Sequence, residues 1–319
     1  MNILETEVAI KFLKDKFEDL LAKKLNLVRV SAPLFVDKET GLNDNLNGVE
    51  ETVSFDLNGK RIEIVQSLAK WKRFALKEYN FPVDKGLYTD MNAIRKDEHL
   101  DNLHSIYVDQ WDWEKIILKD ERKKSYLFKV VSNIYSVIKK VAKISESKWG
   151  FNYNLPNKIF KISSKQLEKL YPDKSPKERE YLIAKQYRAV FIFQIGWPLK
   201  NGLPHDGRAA DYDDWKLNGD IILFDDAIDS PIELSSMGIR VDEDSLVKQL
   251  KKKGELDKLN NPYCKAIINK ELPYTIGGGI GQSRLCMYYL QKKHIAEVQS
   301  SYWPDEIKLQ MKKDGVKPL

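Results

Sequence analysis

Two long stretches of the chain carry apolar residues at helical spacing. In residues 4–25 and again in residues 121–147, apolar side chains recur every three or four positions, with charged or polar side chains between them. This period places the apolar side chains on one face of an α-helix and the polar ones on the other. We therefore expect two long amphipathic helices. Shorter helical patterns occupy residues 178–187 and 245–259.

Strand patterns fill much of the remaining chain. Residues 27–33 alternate and should end at Pro33, which cannot donate a hydrogen bond to a neighbouring strand. Residues 53–65 are interrupted by Asn58 and Gly59, a pair typical of a two-residue hairpin turn, and Asn218 with Gly219 predicts a second such hairpin. Further strands are predicted by alternation or by short apolar runs at residues 86–98, 105–114 and 189–195.

The strand predicted at residues 105–114 has one face of mixed character. Alternation puts Gln110 and Asp112 on the same face as Ile106 and Val108, and both tryptophans on the other face. Burying a carboxylate costs free energy unless a cation or hydrogen-bond donors meet it. Asp112 is therefore a candidate site residue, although a purely structural pairing would also explain it.

Residues 275–284 combine glycines with a cation. Three glycines at 277–279 and a fourth, Gly281, precede an apolar run that predicts a helix starting near Gln282. Glycine lets the backbone bend sharply and approach a ligand closely, and the first N–H groups of a helix favour anions. Arg284 would add a planar, permanently charged group suited to phosphate. The alternative is a tight strand-to-helix turn with a surface arginine. The spacing matches neither a Walker A loop nor a dinucleotide fingerprint.

Two acids in successive predicted strands are candidate magnesium ligands. Asp220 follows the predicted turn at Asn218 and Gly219, and Glu233 lies between two apolar residues. Hard carboxylate oxygens near one another suit Mg²⁺, which is commonly shared with substrate phosphates. The alternative is that both acids are solvent-facing turn residues.

Basic residues open a predicted helix after Gln66. Lys70 and Lys72 are two positions apart and therefore point to different faces, so at most one of them need face inward. These lysines and Arg73 could equally be solvated. Asp44, in the polar loop at residues 43–48, is either a turn former or a site residue.

Composition narrows the class of protein. The 319 residues are 42% hydrophobic and 31% charged, and 53 basic against 47 acidic residues give a net charge of +6. These values are typical of a globular protein and give no specific sign of a nucleic-acid groove. Two cysteines cannot build a disulfide framework, and the four histidines have no metal-ligand spacing. No apolar run could span a membrane, and the N-terminus lacks a signal peptide, so we expect a cytoplasmic protein.

These pieces occur in the order of a known architecture. A helix–strand–proline segment, two strands carrying an arginine and a nearby glutamate, and a glycine-rich strand leading into a helix resemble motifs 1, 2 and 3 of class II aminoacyl-tRNA synthetases. The closer resemblance is to the ammonia-dependent asparagine synthetases (aspartate–ammonia ligases). It covers essentially the whole chain, and its specific strings are residues 44–46, 67–73, 86–89, 104–105, 107–114, 211–215, 217–220, 233–242 and 275–285.

The resemblance implies an α+β fold, with a class II synthetase-like antiparallel sheet flanked by helices, in a single catalytic domain over residues 1–319. It implies ATP-dependent ligation of ammonia to the side chain of L-aspartate through β-aspartyl-AMP, giving asparagine, AMP and pyrophosphate. It also implies a homodimer through the segment that ends at Pro33. Its implied partners are L-aspartate, ammonia, ATP and Mg²⁺, with neither tRNA nor a membrane.

The resemblance assigns site residues by position. Arg95, Arg284, Asp44 and Lys72 are implied to be catalytic, with Asp44 as the candidate general base for ammonium. The ATP site is implied to use Arg95, Glu98, Arg284, Gly278, Gly279 and Gly281. The aspartate site is implied to use Asp44, Lys72, Gln110, Asp112, Asp213, Ser236 and Arg240. Asp220 and Glu233 are implied to lie on the Mg²⁺ side.

Three competing functions are disfavoured on the sequence. A full aminoacyl-tRNA synthetase would need a tRNA-binding module, and the motifs leave little room for one on either side. A glutamine-dependent synthetase would need a nucleophilic cysteine, and neither Cys264 nor Cys286 lies where one is expected. An inactive relative should have lost Arg95, Arg284 or the acids, and all of these are present.

Overall fold

The computed structural model describes residues 1–44, 46 and 50–319; Asn45 and residues 47–49 of the polar loop lie outside them. The helices of the described part are α1 (Ile3–Leu25), α2 (Ala69–Glu78), α3 (Lys124–Trp149), α4 (Ser164–Leu170), α5 (Pro176–Tyr187), α6 (Glu243–Lys253), α7 (Pro262–Ile268), α8 (Gln282–Tyr289) and α9 (Asp305–Lys313). Its strands are β1 (Leu27–Arg29), β2 (Phe35–Asp37), β3 (Ser54–Leu57), β4 (Lys60–Ile64), β5 (Gly86–Ile94), β6 (Tyr107–Ile116), β7 (Phe160–Ser163), β8 (Ala189–Phe193), β9 (Asp213–Asp225), β10 (Ser230–Arg240) and β11 (Thr275–Gly281).

A mixed sheet of eight strands organises the protein. Its strand order is β1-β5-β6-β11-β10-β9-β8-β7, and all central neighbours pair antiparallel. Only the outermost pairs of this sheet, β1 with β5 and β7 with β8, are parallel. A smaller sheet of order β2-β4-β3 contains the hairpin predicted at Asn58 and Gly59. The expected class of fold is confirmed, with parallel pairing added at the edges.

One face of the large sheet packs on the two long helices. The apolar stripes of α1 and α3 and the helix α8 share a core with Trp111 and Trp113 of β6. Phe17 of α1 stacks on Trp111 with ring centroids 5.0 Å apart. The alternation predicted for β6 is therefore confirmed, because Gln110 and Asp112 lie on the opposite face, which carries the cavity described below. No helix of the described part has the length and hydropathy to cross a bilayer.

The hairpin predicted at Asn218 and Gly219 is wrong. Both residues lie inside the continuous strand β9, where the Asn218 side chain exchanges hydrogen bonds of 3.0 Å with the backbone N–H and C=O of Ile195. A Cβ atom on Gly219 would lie 2.3 Å from the Ile192 carbonyl oxygen. The glycine is thus explained by close packing of β8 on β9, and Asp220 lies in the body of β9.

Two other predictions need correction. The prediction that at most one of Lys70 and Lys72 faces inward is wrong, because both lysines and Arg73 are buried. The helix α2 is covered on more than one side, so the rule that charged residues face water fails there. The strand predicted at residues 27–33 is confirmed only for β1, which ends at Arg29.

Candidate active site

A cavity of about 180 Å³ lies over the face of the large sheet that is opposite the long helices. Helix α2, strands β6, β10 and β11, and the start of α8 all contribute to its wall. The structure brings together here nearly all the residues that the resemblance assigned: Asp44, Lys72, Arg95, Glu98, Gln110, Asp112, Asp213, Glu233, Ser236, Arg240, Gly278, Gly279, Gly281 and Arg284.

Asp220 is the one assigned residue that does not line this cavity. It is buried in β9 directly opposite Ser236 of β10, which does line it. Its carboxylate forms an ion pair with Arg208. Burial and the nearby Glu233 raise the pKa of Asp220 to about 7, although Arg208 opposes this.

Glycines on β11 explain how the polar side chains fit. Gly279 lies between Asp112 of β6 and Ser236 of β10 in the register of the sheet. A Cβ atom on Gly279 would lie 2.1 Å from Oε1 of Gln110, and one on Gly277 would lie 1.9 Å from Oε2 of Glu114. Residues 275–281 form a straight strand, not the sharp bend that glycine also permits. These glycines therefore make room for neighbouring side chains.

The floor of the cavity is a network of buried ion pairs. Arg240 donates to Glu114 through Nε at 2.9 Å and Nη2 at 2.7 Å, and through Nη1 to Asp213. Burial opposes each charge, yet Glu114 and Asp213 raise the pKa of Arg240, and Arg240 lowers the pKa of Glu114. Such paired charges hold one another in a fixed geometry.

Lys72 extends this network toward β6 and β11. Its Nζ lies 3.3 Å from Oδ2 of Asp112 and donates to the Gly278 carbonyl oxygen at 3.2 Å. Burial lowers the pKa of Lys72 below its ordinary value, while Asp112 opposes the shift. With Glu114 and Asp213, the floor carries three carboxylates against two cations, Lys72 and Arg240. The arrangement can accept the ammonium and the carboxylate of an amino acid.

The other end of the cavity has a different electrostatic character. Arg284 donates to the carbonyl oxygens of Leu103 at 3.3 Å and Glu233 at 3.1 Å, and Arg95 donates to the Gln66 carbonyl at 3.3 Å. Within residues 1–44, 46 and 50–319, neither guanidinium forms an ion pair. Both therefore keep positive charge available for an anion.

The N-terminus of α8 is not a free anion site. Asp109 of β6 accepts hydrogen bonds from the Ser283 backbone N–H at 3.1 Å and from its hydroxyl at 2.8 Å. Lys14 of α1 neutralises this buried carboxylate, with Nζ 3.0 Å from Oδ2. We therefore expect that Arg284, which does line the cavity, and not the start of the helix would bind a phosphate.

The fit of Mg²⁺ can be judged from the donor set. Glu233 lines the cavity, and its charge acts on Asp220 strongly enough to shift the pKa of that group. Carboxylate oxygens are hard ligands of the kind that Mg²⁺ takes from proteins, and it normally completes its shell with water and phosphate. No cluster of three or more acidic, His or Cys ligands occurs within the described ranges. Glu233 is therefore placed to hold a cation shared with phosphate, whereas Asp220 lies outside the cavity lining and is paired with Arg208.

Asp44 stands at the edge of the cavity beside a second charged pair. Its side chain is 1% exposed, and Oδ1 accepts a hydrogen bond from the Leu46 N–H at 2.9 Å. Burial raises its pKa to about 6, against the opposing charge of Lys70. Lys70 itself lies 2.7 Å from Oδ2 of Asp211. Asp44 is thus poised to exchange a proton near neutral pH.

The sequence reasoning missed several of these residues. Glu114 continues the alternation of Gln110 and Asp112 by two positions, so that pattern could have identified it. Arg208 and Asp211 come from the irregular segment between β8 and β9, which carries no periodic signal. Only the three-dimensional structure brings them to the cavity region.

Comparison with known proteins gives the family. A family model described as aspartate–ammonia ligase matches residues 4–315. An aspartate–ammonia ligase of Ruminiclostridium cellulolyticum is 59% identical over 311 residues, covering 96% of this chain and 93% of that protein. One of Bacillus cytotoxicus is 57% identical over 319 residues, covering 99% of this chain and 98% of that protein.

Solved structures agree on the fold. Asparaginyl-tRNA synthetase of Entamoeba histolytica, in complex with asparaginyl-adenylate, has a TM-score of 0.66 at 11% identity, covering 94% of this chain and 68% of that chain. The Pyrococcus horikoshii enzyme, also with asparaginyl-adenylate, has a TM-score of 0.66 at 15% identity, covering 94% and 70%. These likenesses show that the chain has the class II synthetase fold.

Proposed function

Because the chain belongs to the aspartate–ammonia ligase family, and is therefore a ligase that makes asparagine from aspartate and ammonia, we propose that it works in two steps within the cavity described above. The side-chain carboxylate of aspartate attacks the α-phosphorus of ATP, giving β-aspartyl-AMP and pyrophosphate. Ammonia then attacks the acyl carbon and releases AMP. The observation that carries this proposal is one cavity with a paired, acid-rich floor and, at its other end, two arginines that form no ion pair with any residue the structure describes.

The floor is the proposed aspartate site. Aspartate brings one ammonium and two carboxylates, so it needs acids and cations at fixed positions. Asp112 and Asp213 can receive the ammonium, and Lys72 and Arg240 can face the carboxylates, with Gln110 and Ser236 as neutral hydrogen-bonding groups. Since these charged groups are already held by one another, little reorganisation is needed when the substrate binds.

The arginine end is the proposed nucleotide site. Negative charge on the transferring phosphate is best stabilised by donors fixed before the reaction. Arg95 and Arg284 donate to backbone carbonyls and form no ion pair within the described ranges, and Glu98 also lines the cavity. Glu233, with Asp220 as the second carboxylate, would hold Mg²⁺, and the ion would supply further neutralisation of the phosphate charge.

Asp44 is the proposed base for ammonium. Ammonium has no free electron pair and must lose a proton before it can attack a carbonyl carbon. A carboxylate with a pKa of about 6 is largely ionised at neutral pH and can take up that proton more readily than an ordinary aspartate. The position of Asp44 at the cavity edge allows it to meet the nitrogen nucleophile.

The test is an AMP-release assay that omits one component at a time. We expect AMP only when ATP, aspartate, ammonium and Mg²⁺ are all present, with no stimulation by tRNA. Without ammonium, aspartate-dependent exchange of pyrophosphate into ATP should persist, because the first step needs no nitrogen donor. AMP release that is unaffected by omitting ammonium would contradict the proposal.

A dimer is part of the proposal. Leu4 and Val8 on α1 are 75% and 64% exposed, and Leu34 and Phe35 beyond β1 are also exposed. All four lie on the segment that resembles motif 1, and a self-complementary interface there would cover exposed apolar residues of this kind. We expect a dimer by light scattering at micromolar concentration, and Leu4→Glu with Val8→Glu should shift it to monomer. A wild-type monomer would refute the interface. The two buried, unpaired cysteines fit the proposed cytoplasmic location.

A further inference from the structure

A second cavity meets the active-site cavity at Asp44. It has a volume of about 170 Å³, and its inner wall includes Asn43, Asp44, Glu63, Lys70 and Asp211. Its less buried outer part is lined by Lys38, Lys253, Glu255 and Lys258. We call it the side cavity. Asp44 and Leu46 line both cavities, so these residues form the partition between them.

We propose that the side cavity binds ammonium and is the route by which the nitrogen substrate reaches the active site. This inference rests on the proposed two-step function, because it assigns an entrance to the second step. The first step would occupy the main cavity with a nucleotide and an amino acid. A separate entrance lets the small third substrate arrive while the adenylate remains in place.

The charge of the inner wall favours a small cation. Asp44, Glu63 and Asp211 are buried carboxylates, whereas Lys70 is the only cation among the described residues of the inner wall. Three negative charges against one positive charge leave the inner wall with a net charge of −2, whereas over the whole lining four lysines balance four acids. Since Lys70 is already paired with Asp211, the inner wall still lacks positive charge, and a cation that reaches it would supply that charge.

Unpartnered oxygens point to a ligand with several donors. Oδ2 of Asp44 and Oδ1 of Asp211 are buried and have no hydrogen-bond partner among the described residues. Buried polar atoms are normally hydrogen-bonded, because leaving them unpaired costs free energy. Ammonium has four N–H donors and could serve both oxygens at once.

The charged groups of the side cavity disfavour aspartate as its ligand. Its volume of about 170 Å³ is close to the 180 Å³ of the main cavity, so it admits ammonium with some of its hydration but does not by itself exclude larger substrates. Within the part of the chain that the structure describes, its inner wall contains no pair of unpaired cations that could receive the carboxylates of aspartate.

Proton transfer can then occur at the partition. One N–H bond of ammonium breaks, the proton forms an O–H bond on Asp44, and the electron pair stays on nitrogen. That pair forms the C–N bond to the acyl carbon, while the C–O bond to phosphate breaks and AMP leaves with its electrons. The nitrogen of the product then loses its surplus proton to water.

Filling the side cavity tests the route. Ala209 lines it without a charged or hydrogen-bonding side chain, so Ala209→Leu should narrow it. We expect the KM for ammonium to rise about tenfold, while aspartate-dependent pyrophosphate exchange stays within about twofold of wild type. Ala227→Leu, in the turn after β9, is the matched control and should change neither. An unchanged KM for ammonium in folded Ala209→Leu protein would overturn the proposal.

A charge variant gives an independent test. Glu63→Gln keeps the shape of a side chain that accepts a hydrogen bond from Asn43 at 3.2 Å, but removes one negative charge. We expect the KM for ammonium to rise about fivefold, with pyrophosphate exchange unchanged. An unchanged KM would contradict the cation site even if Ala209→Leu fails to fold. Absence of exchange in the wild type would instead refute the proposed function itself.

Discussion

The two ends of the main cavity differ in how their charged side chains are paired. At the floor, Glu114 and Asp213 hold Arg240, and Asp112 holds Lys72, so each cation has a carboxylate partner. At the other end, Arg95 and Arg284 rest on backbone carbonyl oxygens that carry only partial charge. The floor therefore contributes to the stability of the fold, whereas the two arginines form no ion pair with any residue that the structure describes.

This difference teaches how one cavity can recognise two unlike groups. A zwitterionic amino acid is best matched by alternating fixed charges, because each of its own charges needs an opposite neighbour. A polyphosphate is best matched by cations without local partners. Substitutions at the floor should therefore reduce folding stability, whereas substitutions at the arginine end should reduce turnover alone.

The largest expected effect is on folding and comes from the floor. Glu114→Gln should lower the free energy of unfolding by about 3–5 kcal/mol, because Arg240 and Lys72 lose a buried counter-charge. Urea denaturation measures this. Glu51→Gln is the matched control, since Glu51 is exposed and pairs with the surface residue Lys96, so we expect less than about 1 kcal/mol. Equal free energies of unfolding for the two variants would show that the floor does not stabilise the fold.

The next effect is on turnover and comes from the arginine end. Arg284→Ala should lower pyrophosphate exchange about 10²–10³-fold, the usual consequence of removing one fixed donor to developing charge. Its free energy of unfolding should stay within about 1 kcal/mol of wild type, because no ion pair is lost. Arg61→Ala, at a half-exposed surface pair with Asp56, serves as control for both measurements. Near-normal exchange would place Arg284 outside the phosphate site.

Substitutions at two glycines of β11 test whether the two ends of the main cavity act separately. In Gly279→Ala the new methyl would lie 2.1 Å from Oε1 of Gln110 and must displace that side chain, so the KM for aspartate should rise about tenfold. In Gly281→Ala the nearest atom is Cβ of Arg284 at an ordinary 3.5 Å, and the KM for aspartate should not change. Similar kinetics in both variants would argue against a separate amino-acid end.

The smallest effect is a pH-dependent change in stability at the partition. Burial raises the pKa of Asp44 from 3.8 to about 6, so ionising it opposes folding, and this penalty is fully present above pH 6. Below pH 3.8 the group is protonated in both states, and the penalty is absent. Asp44→Asn should therefore melt a few degrees higher than wild type at pH 8, with the difference shrinking toward pH 4. A difference that grows on acidification would contradict the shift.

Local patterns predicted much of this molecule. The alternation of β6 separated Trp111 and Trp113 from Gln110 and Asp112, because a strand buried on one face and lining a cavity on the other keeps its period of two. The amphipathic helices α1 and α3 followed equally from their own residues. Such elements are visible in sequence because each has one apolar and one polar side.

The rest depended on contacts between distant segments. Lys70 and Lys72 look like surface residues until α2 is enclosed by β11 on one side and the segment around Asp211 on the other. Asn218 and Gly219 have the chemistry of a turn, yet contacts with residues 192–195 hold them in a straight strand. Arg208 and Asp211 lie in irregular chain, where no periodicity indicates which residues face inward.

The most direct test of the division between the two ends is a pair of calorimetric titrations of Arg284→Ala and the wild type, one with L-aspartate and one with ATP and Mg²⁺. We predict that the variant binds aspartate with a Kd within about twofold of wild type and binds ATP at least about tenfold more weakly. Equal loss of affinity for both ligands, or unchanged affinity for ATP, would contradict the account.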